Sequence, residues 1–256
     1  MPRASRHYLP GYIWHLTHRC HRQQFLLRFA KDRRTWVRWL YVARRRYGLC
    51  VLDYTVTSNH IHLVVRDQGR GEIARSTQLI AGRTGQEYNQ RKRRHGAFWE
   101  DRYHATAVET GEHLARCLIY VDLNMVRAGV VAHPSAWQTA GYHEIQSPPA
   151  RFRIIDRSAL ADALGVQLPA LSATHAEWVA AAVAVGSHGR MPEWSTSLAV
   201  GSCEFVERVE TDLGNRARDR QVQPFGSAFI LRDPSAIYGD ALAAENEAPS
   251  PNTVPV

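Results

Sequence analysis

Lysine is nearly absent from this chain: Lys31 and Lys92 are the only two among 32 basic residues. Any binding of phosphate therefore falls to arginine, whose planar guanidinium makes bidentate contacts and stacks on bases. Cysteine is scarce as well. Cys20, Cys50, Cys117 and Cys203 are scattered without paired spacing, which argues against a disulfide framework or a zinc knuckle and fits a reducing cytoplasm. No apolar run approaches the roughly 20 residues that span a bilayer, so no membrane partner is expected. No signal-type apolar segment follows the opening Met1-Pro2-Arg3-Ala4-Ser5-Arg6-His7. There is no phosphate-binding P-loop and no internal repeat.

Acidic residues are in short supply only in the first part. Residues 1–150 hold 23 Lys+Arg against 11 Asp+Glu, a net of +12, while residues 151–256 hold 9 against 13, a net of −4. A GC-rich coding sequence would explain arginine over lysine but not this asymmetry. A basic segment interleaved with Trp, Tyr and His points to a nucleic-acid partner.

Periodicity predicts strands over residues 12–18, 49–57, 60–66 and 103–109, and helices over 31–47, 71–94 and 111–126. Thr110 is the expected cap of the last helix. The order β-α-β-β-α-β-α begins as a ferredoxin-like split βαβ arrangement, so the fold class expected is α+β, with an antiparallel sheet and helices on one face. Gln146-Ser147-Pro148-Pro149-Ala150 reads as a linker. The expected organisation is a domain over 1–146, a small helical C-terminal appendage over 147–238 and a disordered tail over 239–256. A chain cut near residue 150 is expected to fold by itself.

Two stretches carry chemistry. His60 and His62 are two apart on a strand and share a face, while Ile61, Leu63 and Val65 point to the core. Two imidazoles on one rigid face can begin a divalent metal site. Taken alone, His-x-His is short and common, and a solvated sheet face accounts for it. In the last predicted helix, Leu114, Leu118, Val121 and Met125 form an apolar stripe. Arg116, Tyr120, Asn124 and Arg127 form a polar one. A phenol one turn from an amide, between two guanidiniums, is an odd choice for a merely solvated surface.

These pieces occur in a telling order: Asn59-His60-Ile61-His62, then Gly96-Ala97-Phe98-Trp99-Glu100-Asp101-Arg102-Tyr103-His104, then Tyr120-Val121-Asp122-Leu123-Asn124-Met125-Val126-Arg127-Ala128-Gly129. Together they resemble the signatures of the single-tyrosine HUH transposases, in particular the REP-associated tyrosine transposases of bacteria, over residues 5–145. The opening Leu9-Pro10-Gly11-Tyr12-Ile13-Trp14-His15-Leu16-Thr17 is similar to that family's first strand. Two positions depart from the family pattern: Thr57-Ser58 stands where Met-Pro is usual, and Met125 where proline is usual.

The resemblance implies the HUH single-tyrosine transposase fold and a bacterial cytoplasmic enzyme. It implies Tyr120 as a nucleophile that forms a 5′-phosphotyrosine link to DNA, and His60, His62 and Asn124 as ligands of Mg²⁺ or Mn²⁺. The implied partner is single-stranded or hairpin DNA at short palindromic, REP-like sequences, met by a monomer or a homodimer. Arg91, Arg93, Arg94, Arg102, Arg116 and Arg127 are the expected backbone contacts, and Trp99, with Tyr12 and Tyr103, the expected stacking residues. Two other readings stay open on the residues. One is a rolling-circle-type nicking initiator. The other is a non-catalytic module that binds hairpin DNA or RNA.

Overall fold

The computed structural model describes residues 9–186, 191 and 193–232. The expected tail over 239–256 lies outside them. Strands β1 (Ile13–Arg19), β2 (Cys50–Val56), β3 (His60–Arg66) and β4 (His104–Val108) form where alternating β-branched and aliphatic residues predict them. Their spatial order is β2-β3-β1-β4, with each pair antiparallel, as the ferredoxin-like arrangement requires.

Helices α1 (Ala30–Tyr47) and α2 (Glu72–Lys92) pack on each other and cover one face of this sheet. Trp36 of α1 and Ile80 of α2 meet Leu16, Ile61 and Leu63 around one small cavity. The two interior glycines of α2 did not stop it. Gly85 serves a close approach instead, since a Cβ there would sit 3.1 Å from Cβ of Phe98.

The opposite face carries the helix α3 (Glu112–Asp122), followed after Leu123 by the short α4 (Asn124–Arg127). The helix expected over 111–126 is thus interrupted at Leu123, whose ψ of 4° loosens the turn. Thr110 does not cap it. Gly111 occupies that place with φ 71° and ψ −129°, a conformation that suits glycine. Leu114, Leu118, Val121 and Met125 are all buried, so the apolar stripe is the packing face. Full burial of a leucine is worth about 1.5–3 kcal/mol, which fixes the helix's rotation and hence where its polar side chains point.

After α5 (Tyr142–Gln146), the segment past residue 146 is helical as expected in α6 (Arg157–Leu164), α7 (Leu171–Val185) and α9 (Cys203–Leu213), and it adds the short α8 (Glu193–Thr196), which was not expected. It also contributes β5 (Ala199–Gly201), β6 (Gln221–Phe225) and β7 (Ala228–Arg232), which periodicity did not reveal. β5 pairs parallel with β4, and the sheet continues β5-β7-β6 to seven strands among the described residues. One apolar core runs through both parts, joining Leu114 and Leu118 to Leu160, Trp194, Val206 and Ile230. Leu168–Val185, which includes α7, is long and apolar enough by length and composition alone to cross a membrane, although His175 and Glu177 interrupt its apolar run and Leu171, His175 and Val179 are buried in the protein. His175 within it is buried, with Nε2 2.9 Å from Oδ2 of Asp122, and Gln146 Nε2 meets its Nδ1 at 2.9 Å.

Candidate active site

The site forms where the face of β3 that carries histidines meets the end of α3. Register puts Arg19 opposite His60 and Thr17 opposite His62, so the pair lies near the end of β1. The ring centroids of His60 and His62 are 4.9 Å apart. His62 is buried and His60 only partly so, which removes the solvated-face alternative for His62.

Tyr120 is buried at 7% exposure and stands edge-on to His62, with ring centroids 5.6 Å apart and planes at 89°. The guanidinium of Arg127 lies 4.1 Å from the centre of the Tyr120 ring and donates to the Tyr120 carbonyl at 2.6 Å. Burial draws Arg127 below its ordinary range, and the neighbouring Tyr120 opposes that shift. Asn124, also buried, rests its amide nitrogen 2.9 Å from Nε2 of His62. The break at Leu123 separates α3 from α4 but keeps Asn124 on the side of the tyrosine.

Four more residues complete the surroundings: Asn59 and Thr57, which stand in and beside the first motif, and His15 and Trp194, to which sequence reasoning gave no role. Asn59 and Thr57 hold Nδ1 of His60 at 2.7 and 3.0 Å. His15 lies on β1 with Nε2 2.8 Å from Nδ1 of His62 and Nδ1 2.8 Å from the Trp194 carbonyl. The Trp194 ring flanks Tyr120 at 6.4 Å. The signal for His15 was present in Trp14-His15-Leu16-Thr17, where His15 and Thr17 share the polar face of an alternating strand, but nothing in the spacing linked it to His62.

Burial holds His62 well below the ordinary histidine range, with His60 and His15 adding to the effect, and burial lowers His15 to about 3. Both imidazoles are therefore neutral, the form that binds metal. Among the described residues no group of three or more His, Cys, Asp or Glu is arranged to hold a metal ion. Two imidazoles and one amide form a different donor set. It mixes nitrogen and oxygen donors, and imidazole accepts Zn²⁺ or Ni²⁺ as well as harder ions.

The other expected DNA contacts divide. Arg91, Arg93, Arg94, Trp99 and Arg102 belong to a segment whose Glu100 N–H bonds the Arg19 carbonyl at 3.0 Å, so they lie at the same end of the sheet as His60. Within it, Arg91 pairs with Asp32, and Arg94 donates to Asn89 at 3.1 Å. Arg93 is exposed in the left-handed region at φ 49°. Trp99 is partly buried, stacked on His18 at 4.1 Å and donating to the Ala81 carbonyl at 3.0 Å, so packing claims much of its surface. Tyr103 is buried. Tyr12 donates to Asp212 at 2.7 Å, and burial, with that carboxylate, pushes its phenol up to about 12. Arg116 points to Glu112 and to Ser227, at 2.5 and 2.6 Å.

The site is thus a buried tyrosine on a helix, set against a histidine pair on a sheet. Residues 11–124 match the family model described as "Transposase IS200 like", in agreement with the resemblance carried by the motifs. No curated protein matches the chain. A solved REP-associated tyrosine transposase bound to a REP hairpin is 18% identical, with a TM-score of 0.48 over 57% of this chain and 85% of the other.

Proposed function

We propose that this protein is a single-strand DNA transposase or endonuclease of the IS200-like kind, with Tyr120 as nucleophile. The observation that supports it best is the setting of Tyr120, flanked by His62 at 5.6 Å and by the Arg127 guanidinium at 4.1 Å, with Asn124 bridging to His62. The Tyr120 hydroxyl attacks the scissile phosphorus, its proton passing to water. A phosphotyrosine bond forms to the 5′ side, the P–O3′ bond breaks, and a 3′-OH leaves. Attack of another 3′-OH on that bond reseals the backbone and returns the tyrosine, so no nucleotide triphosphate is consumed.

Tyrosine has an unperturbed pKa of about 10, so the site must favour negative charge on the reacting oxygens. The Arg127 cation, packed against the ring in a low-dielectric setting, does part of this. His60, His62 and Asn124 would hold a divalent cation, Mg²⁺ or Mn²⁺, which when bound polarises the scissile phosphate. A nucleophile with 7% exposure reaches only a backbone that can be drawn into the site, which favours single-stranded DNA beside a hairpin. The basic group at the same end of the sheet, with Arg93 exposed, suits the flanking phosphates. Tyr120→Phe tests the reading, since it removes only the hydroxyl. Covalent protein–DNA adducts on hairpin substrates should vanish while hairpin binding persists. An adduct formed by the phenylalanine variant would eliminate Tyr120 as nucleophile.

A further inference from the structure

His15 lies on β1, outside the site residues named above as ligands or nucleophile, and it has no exposed surface. Thr17 is opposite His62 in the ladder, so His15 is the diagonal neighbour of His62 on the same sheet face. Its Nδ1 is 2.8 Å from the Trp194 carbonyl and its Nε2 is 2.8 Å from Nδ1 of His62. A carbonyl can only accept, so Nδ1 of His15 donates. Both rings are buried and neither bonds a carboxylate. Each imidazole thus carries a single N–H. With its proton on Nδ1, His15 accepts at Nε2, and His62 must be the donor through Nδ1. The lone pair of His62 is then fixed on Nε2, the nitrogen that faces Asn124 at 2.9 Å.

We propose that His15 is a positioning residue which, with the backbone carbonyl of Trp194, sets the tautomer and ring orientation of His62 so that Nε2 is the coordinating atom. The inference rests on the metal site of the preceding reading. A metal-binding histidine is commonly oriented by a carboxylate or carbonyl that accepts from its second nitrogen. Here a second imidazole is inserted between them, and the carbonyl comes from α8, far along the chain. His15 cannot itself bind the same ion, because its Nε2 lone pair is spent on His62. The C-terminal segment therefore acts on the site without supplying a ligand.

The test uses the full-length chain, its His15→Leu variant and its His15→Gln variant. Glutamine places an amide oxygen near the position of Nε2 and restores the acceptor. Mn²⁺ affinity is read from the free-ion signal in electron paramagnetic resonance. The His62 tautomer is read from imidazole nitrogen shifts, assigned by their loss in His62→Ala. His62 should carry its proton on Nδ1 in the wild type. His15→Leu should weaken Mn²⁺ binding about 10–100-fold and release the tautomer, and His15→Gln should restore both. Unchanged Mn²⁺ affinity in a folded His15→Leu variant would overturn the inference, as would a wild-type proton on Nε2 of His62. If the leucine variant fails to fold, the wild-type spectrum and the glutamine variant decide. Absence of Mn²⁺ binding by the wild type would sink the metal site itself, a failure distinct from binding that survives the leucine change.

Discussion

Asn124→Ala separates two roles that the residue could play. One is to ligate the metal, and the other is to shape the turn where the helix ends near Gly129. In the structure that turn closes through backbone atoms: Ala128 N bonds the Asn124 carbonyl at 3.1 Å, and Gly129 N bonds the Val126 carbonyl at 2.9 Å. The side chain instead reaches His62 at 2.9 Å. Its removal deletes one buried hydrogen bond and leaves Nε2 of His62 without that partner, a loss of about 1–3 kcal/mol. For a chain of this size that lowers the melting temperature by about 2–12 °C, at about 2–4 °C per kcal/mol. The metal requirement should rise as well. Loss of a group that merely supports a ligand costs about 10–100-fold in metal affinity, so loss of a ligand should cost at least as much. The assay is the Mn²⁺ concentration for half-maximal cleavage of a hairpin substrate, read beside the melting temperature. Asn124→Asp should keep or tighten the metal requirement, since a carboxylate is the better hard ligand. A large drop in melting temperature with an unchanged Mn²⁺ requirement would refute the ligand role.

Cleavage by the wild type should stop in EDTA and return with Mg²⁺ or Mn²⁺, and His60→Ala and His62→Ala should each abolish it; full activity in EDTA would rule out the metal site. A chain ending at residue 150 should fail to fold cooperatively, because Ala107 N and Glu109 N lose the Leu198 and Val200 carbonyls, His15 loses Trp194, and Asp122 loses His175; a soluble fragment with a sharp melting transition would refute this. Burial, and then Asp122, push the Asp53 carboxyl well above the usual carboxylate range. The folded chain thus keeps that proton at pH values where the unfolded chain, titrating near 4, has lost it, and stability falls as pH rises from there through the folded value. Asp53→Asn should flatten the decline of melting temperature between acid and neutral pH, and an unaltered slope would show that Asp53 is not its source.

What could be read from the sequence is what local periodicity encodes. The ladder from Ile13 to Arg66 and the stripe Leu114, Leu118, Val121 and Met125 are patterns of period two and nearly four, and burial follows them. The same periods put His60 beside His62 and Tyr120 one turn from Asn124. They say nothing about which sheet face meets which helix. The family resemblance bridged that gap, because it joined strand and helix motifs that no spacing rule connects.

The parts that escaped are those fixed by contacts between distant segments. β5 is three residues long and parallel to β4, too short to show a period and paired across a connection of many residues. Arg116 has helical spacing to Tyr120, yet Ser227 of the β6–β7 turn receives its guanidinium, and no pattern in α3 could announce that partner. His15 is the sharpest case. In the sequence it is one polar residue on an alternating strand, and its ordinary fate would be a satisfied core histidine. Its role follows from a backbone carbonyl, at Trp194, that any residue in that position would present. Side-chain identity at 194 therefore carries no signal for the bond, although the ring beside Tyr120 gives that residue a second reason to be large and apolar. A site whose protons are set by main chain from another part of the fold becomes visible only once the chain is folded.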